Sequence, residues 1–374
     1  QGIPFIVGNE GAERFSYYGM RAILYVYLAA LYVQFVPTEE LSEAVAGDAK
    51  ARATAVAHLF MAGVYAFPMI GAILADRLLG KYRVILWVSM IYVLGNAVLA
   101  IAGHMGGQGN YEFAEYGAYV GLALIAIGSG GIKPCVSANV GDQFTAKNSH
   151  LVTKVFQIFY FIINFGSFFS TLLTPLLYTF FGPMVAFGVP GVFMALATFV
   201  FWLGRNRFVH VPPNPGGKLG LLDFASSALL FAPVVALIVA VFVVGGHFEV
   251  GEAEGMGAIA FYTDYVTRYV GFVITESWYY FVIGFALAGL GLYLSSIRQK
   301  QERDDGFLAI VQYAWAHRSE RKEGQGFFDV ARAEFGDDAA EGPKAVLRNM
   351  LVFSMVSVFW ALFEQSAGSM TLYA

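Results

Sequence analysis

A single cysteine, Cys135, stands in 374 residues. No intrachain disulfide framework is possible, and thiol usage says nothing of the redox compartment. Charge is scarce as well: Asp, Glu, Lys and Arg make up 13% of the chain, and the net charge is −4. That shortage excludes nucleic acid as a partner, because such surfaces need clustered cations. It also excludes disorder, which needs high charge and low hydrophobicity. The six histidines are scattered, so no metal-ligand cluster and no cofactor are expected. Neither an H-E-x-x-H zinc motif nor a nucleophile with its base appears, so the chain does not read as an enzyme. There is no initiating Met and no charged leader, and the last apolar segment, Val352 to Ala374, stops without a flanking charge. Both ends are therefore expected to be cuts through a longer chain.

Apolar residues, in contrast, are abundant. They form 57% of the chain and aromatics 16%, with 35 Phe and 21 Tyr. Soluble domains sit near ~45–50% apolar with ~25% charged. A soluble core could not hide this excess, so the chain reads as a polytopic membrane protein embedded in the lipid bilayer. A crossing helix needs about 20 apolar residues. Nine stretches qualify: 12–34, 54–78, 84–103, 116–138, 155–180, 190–205, 221–246, 275–297 and 349–374. None alternates as a barrel strand does, so the spans predict an all-helical bundle. With the N-terminus in the cytoplasm, the inside segments carry seventeen Lys and Arg and the outside segments three. The positive-inside rule thus places the first end and the charged segment 298–348 in the cytoplasm. The Pro- and Gly-rich His210–Leu219 reads as a linker. The layout predicts a six-helix unit over 1–209 and a linker with two inserted spans over 210–297. A cytoplasmic segment over 298–348 and the first span of another bundle over 349–374 complete it.

Ionisable groups inside a span cost at least ~2.5–3.5 kcal/mol each, so they mark function. The first span holds Glu10, Glu13, Arg14 and Arg21 with Tyr17 and Tyr18. At 100° per residue, Glu10, Glu13, Arg14, Tyr17 and Arg21 fall in an arc of about 100°. A snorkelling interfacial cluster would account for Glu10, but not for Arg21 two turns deeper on the same face. A water-filled cavity accounts for both. His58 and Tyr65 share a face of the second span, seven residues apart. His58 either bonds a neighbouring helix or handles protons. That span ends in Gly71-Ala-Ile-Leu-Ala-Asp76-Arg77-Leu-Leu-Gly80-Lys81-Tyr-Arg83. It resembles the loop between spans two and three of the major facilitator superfamily, with one extra residue, Leu79, before Gly80.

The fourth span carries Gly128-Ser-Gly130-Gly131-Ile-Lys133-Pro134. It lacks phosphate-loop spacing, so its glycines predict close helix packing and Pro134 a kink. Lys133 needs an acidic partner, for which Glu10 and Glu13 are the candidates. Asn164 in the fifth span either bridges helices or meets a ligand. Glu364 is a lone carboxylate in the last span. Desolvation and any nearby Arg act on it in opposite directions, which suits a proton carrier.

Glu10-x-x-Glu13-Arg14-Phe-x-Tyr17-Tyr18-Gly-Met-Arg21 closely resembles the first-span signature of the proton-dependent oligopeptide transporter family, within the major facilitator superfamily. Gly131-Ile-Lys133-Pro134, Phe159-Tyr160-x-x-Ile-Asn164-x-Gly-Ser and Phe359-Trp360-x-Leu-x-Glu364-Gln365 are similar to its fourth, fifth and seventh spans. His58 and Tyr65 match its peptide-carrying branch. The six-plus-two-plus-six layout resembles the bacterial members, with the second bundle truncated after one helix. The resemblance implies a proton-coupled symporter importing di- and tripeptides by alternating access, multi-pass in the cell inner membrane. A carrier of nitrate or another non-peptide solute is the alternative within the family. It further implies that Arg21, Lys133, Tyr17 and Tyr18 hold the peptide carboxylate. Tyr65 lines the pocket, and Asn164 meets the amino end or backbone. Glu10, Glu13, Arg14 and His58 handle the coupling proton, and Glu364 pairs with Arg21. One bundle with a single further helix would not transport alone, because rocking needs two halves.

Overall fold

The computed structural model describes residues 2–36, 42–248, 257–302 and 306–364, the last eight as backbone only. It is all-α, with no strand among the described residues. Chain contacts divide it into two units, 1–288 and 289–374.

The first unit opens with α1, Ile3–Val33, nine residues ahead of the apolar stretch, because the charged ladder is helical too. Helix α2, Glu43–Leu74, is capped by Ser42, whose Oγ accepts the Val45 amide at 3.4 Å. It runs on into a π turn, Ala75–Leu79, closed by the Gly80 amide on the Ala75 carbonyl at 2.9 Å. A π turn absorbs one more residue than an α turn. This is where the extra Leu79 goes. Helix α3, Lys81–Gly107, and α4, Tyr111–Asp142, follow. Asn110 caps α4 through the Phe113 amide at 3.2 Å.

The expected spans 155–180 and 190–205 form one stretch, α5, Val152–Leu203, broken only at Gly182 (φ 78°, ψ 179°). Gly182 takes a backbone that side chains disfavour, and Pro183 starts the next helical segment. The connection is thus a sharp corner, not the loop of nine residues that the apolar pattern predicts. Helices α6, Gly217–Leu230, and α7, Ala232–Val239, replace the single expected span 221–246. They meet at Phe231, where Pro233 in the first turn of α7 removes a donor. Helix α8, Ala258–Gln301, starts seventeen residues before the expected 275. Asp264 and Arg268 interrupt the apolar pattern but satisfy each other at 2.7 Å, one turn apart.

Within the bundle α1 packs chiefly on α5 and also on α2, and α4 packs on α3 and α2. The glycines read as packing residues make these contacts: a Cβ on Gly71 would lie 2.7 Å from the Gly131 Cα. Six stretches are long and apolar enough to cross a membrane. One is the 59-residue run containing the Gly182 corner. Helix α1 is long enough by length, at about 1.5 Å per residue, but its charges lower its hydropathy. The described portion is therefore that of a multi-pass membrane protein.

The second unit contains the end of α8, then α9, Phe307–Ala316, α10, Arg332–Phe335, and α11, Asp337–Glu364. The segment read as a polar loop holds a small core of Ile310, Ala314, Phe328 and Ala331.

Candidate functional site

Helix α1 presents its ladder inside the first unit. Glu10 is 1% exposed and Glu13 fully buried. Both face the Arg14 guanidinium, whose Nε lies 2.7 Å from Glu10 Oε1 and 3.3 Å from Glu13 Oε2. One guanidinium thus serves two buried carboxylates. The helical period dictates this: Glu10 lies one turn before Arg14, and Glu13 precedes it directly. The ladder's back is held by α5, where Gly166 lets the two helices touch; a Cβ there would stand 2.5 Å from the Gly11 carbonyl.

Tyr17 continues the face one turn further. Its ring meets Tyr18 edge-on at 5.3 Å and Phe60 of α2 at 6.4 Å. Lys133 comes from α4 and places Nζ 4.4 Å from the centre of the Tyr17 ring and 5.3 Å from that of Tyr65. The expected ion pair of Lys133 with Glu10 or Glu13 is absent among the described residues. The ammonium rests between two aromatic faces instead, an arrangement that electron-rich rings favour. The sequence named Glu10 and Glu13 as partners because of their depth in the span, and it did not reveal that the Tyr17 ring is what the ammonium meets. Arg21 lies on the same face of α1 and is half-buried.

His58 of α2 is half-buried, with its ring against the edge of Tyr25 at 6.2 Å. Tyr65, two turns on, is 57% exposed. Asn164 is exposed, and its Nδ2 donates to the Tyr160 carbonyl of its own helix at 2.8 Å. It therefore makes no helix-bridging bond among the described residues. Its face of α5 carries Gln157, Tyr160, Ser167 and Thr171 at helical spacing, all at least partly exposed. Sequence reading missed Gln157 and Thr171, though polar residues recurring every three or four positions in an apolar run would have revealed them. It also missed a buried polar layer between α1 and α3, where Ser16 Oγ donates to Asn96 Oδ1 at 3.4 Å. Helix α11 reaches Glu364, whose side chain lies outside the described residues.

Chemically, the first unit offers two buried carboxylates, three cations and a wall of tyrosines within one membrane bundle. Such a set can hold an anionic group and exchange a proton.

The model of the POT family matches residues 82–220. The chain is 40% identical over 220 residues to human solute carrier family 15 member 2, covering 57% of this chain and 28% of that protein. It is 42% identical over 220 residues to peptide transporter family 1 of Drosophila melanogaster, covering 56% and 27%. Among solved structures it is similar to the POT family transporter PepTSo. The TM-score there is 0.62 at 35% identity, over 100% of this chain and 62% of that one. An auto-inhibited POT family peptide transporter matches with a TM-score of 0.61 at 34% identity, over 98% and 60%. The chain thus spans under a third of these curated relatives and about three fifths of these solved chains.

Proposed function

We propose that the chain, an all-α bundle of the major facilitator fold, belongs to the POT family and that the whole protein is a proton-coupled symporter importing di- and tripeptides by alternating access. The observation that carries this reading is the buried Glu10–Arg14–Glu13 cluster one turn from Tyr17, over which Lys133 sits. Two carboxylates on one guanidinium leave one negative charge in excess, which a proton offsets. Lys133, Arg21, Tyr17 and Tyr18 then receive the peptide carboxylate, with Tyr65 as a wall and Asn164 toward the amino end or backbone. Glu10, Glu13, Arg14, His58 and Glu364 carry the coupling. The peptide-transporting relatives support this substrate over nitrate. The inserted helices α6 to α8 support the bacterial kind of layout, and the distribution of Lys and Arg supports an inner-membrane protein with a cytoplasmic N-terminus. The domain boundaries near 209, 297 and 348 belong to the same reading.

The test is dipeptide uptake by the full-length protein in proteoliposomes under an imposed proton gradient. Lys133→Ala and Arg21→Ala are each expected to abolish uptake while insertion is kept. Loss of a partly desolvated carboxylate partner costs about 2–5 kcal/mol. Gradient-driven nitrate uptake without dipeptide uptake would replace the reading with its alternative.

A further inference from the structure

A groove of about 430 Å³ opens at the end of the first unit that carries Gly80, and none of the carboxylate-cluster residues lines it. Gly80, Lys81, Arg83, Asn139, His210 and Pro213 are among the residues that line it. Its floor is the N-terminus of α3, a helix of 27 residues that has no side-chain cap. The first-turn amides of Lys81, Tyr82 and Arg83 have no intrahelical acceptor there, and the helix dipole favours negative charge at that point. Independently, Asn139 lines the groove at 2% exposure, and its Nδ2 has no hydrogen-bond partner among the described residues. A buried amide donor without an acceptor is costly.

The cations at the groove differ in availability. Lys81 Nζ is bound to both oxygens of Asp142, at 2.9 and 3.0 Å, so its charge is offset. His210 Nε2 is engaged with the Arg205 carbonyl at 2.8 Å. Arg83 is exposed and has no ion pair among the described residues. No carboxylate side chain among the described residues lines the groove. The opposite wall is the linker. The Gln143 side chain holds it by accepting from the Val209 amide at 2.9 Å and donating to its carbonyl at 3.3 Å.

We propose that this groove binds a phosphate-bearing anion, either the head group of an acidic phospholipid or free phosphate. The Arg83 guanidinium, the free amides of α3 and Asn139 Nδ2 are its donors. Tetrahedral oxygens accept several such bonds at once, and the arginine fork matches them. The site lies where the spans meet the linker, a level at which lipid head groups reside.

The test uses the full-length protein in a neutral detergent and reads the shift in Tm. Three probes are added separately: dioleoylphosphatidylglycerol, dioleoylphosphatidylcholine and inorganic phosphate. Phosphatidylglycerol is expected to raise Tm by several degrees and phosphatidylcholine not to. Arg83→Gln and the isosteric Asn139→Asp should each reduce the rise by at least half. Arg83→Gln, at an exposed position, should keep the wild-type Tm without additive, which separates loss of the site from loss of fold. Lys154→Gln, an exposed cation near the start of α5, should leave the rise intact. A rise with inorganic phosphate that Arg83→Gln removes also supports the site and assigns it to the free ion. No rise with either anion, or a rise indifferent to Arg83 and Asn139, overturns the proposal.

Discussion

Arg14 holds Glu10 and Glu13 in a place with little water, and the three charges are not equivalent. Its Nε is closer to Glu10, at 2.7 Å, than to Glu13, at 3.3 Å. Removing the shared guanidinium strands two buried carboxylates, whereas removing one carboxylate leaves a balanced pair. Breaking a buried pair in this way costs about 3–5 kcal/mol. Arg14→Ala is therefore expected to lower the unfolding temperature in detergent well beyond Glu13→Gln; equal effects would contradict the shared-cation geometry. At this scale much was legible in the sequence. Helical period alone collected Glu10, Glu13, Arg14, Tyr17 and Arg21 on one face. It could not identify the neighbour of Lys133, because angles within one helix do not fix what the next helix presents. The Tyr17 and Tyr65 rings took the place assigned to a carboxylate.

At the level of elements, the glycines of α2 and α4 decide how near two helices come. A Cβ on Gly71 would meet Gly131 Cα at 2.7 Å and the Gly130 carbonyl at 2.8 Å, both backbone atoms that cannot swing aside. Gly71→Ala should cost about 1–3 kcal/mol, as overpacking does. Gly47→Ala, with nothing within 4 Å of its Cβ, should gain about 0.5–1 kcal/mol from helix propensity. Thermal unfolding of both variants checks the contrast in sign. The helices between charged flanks were readable, but not the corner at Gly182 or the break at Phe231. Apolar runs show where a chain can cross and say little of φ. The small core around Phe328 was hidden for the opposite reason, since four buried side chains are diluted among charges. Its rim holds the Asp329 carboxyl well below the usual carboxylate range, through Lys344, the Gly326 amide and Arg332. Glu341 is lowered by the same Lys344 and Arg332. A depressed carboxylate stabilises above its unfolded pKa, about 3.9 for Asp, and that contribution fades as pH falls further. Amide exchange over 326–335, corrected for intrinsic rates, should stay level from pH 8 to 5 and quicken below about pH 4. Loss of protection already near pH 6 would point to another group.

Over the whole molecule, the distribution of Lys and Arg predicts which end faces the cytoplasm, and labelling can read it. Cys135 is 2% exposed, so it adds little background. A cysteine at the exposed Gly47 should react with an impermeant maleimide from outside, and one at the exposed Glu323 only after the membrane is opened. The reverse pattern would invert the topology. The linker after α5 is fastened at both ends of its path. Gln143 grips Val209, Asn214 donates its amide to the Asp76 carbonyl at 2.9 Å, and Gly216 donates to that of Arg77 at 3.1 Å. Gly220 sits so close that a Cβ would stand 2.0 Å from the Arg77 carbonyl. The proline and glycine of this segment read as a linker in the sequence, which says nothing of these fastenings. A strap riveted at four points has no play: torque on α6 passes undamped into the π turn, so helix and turn swing as one lever arm.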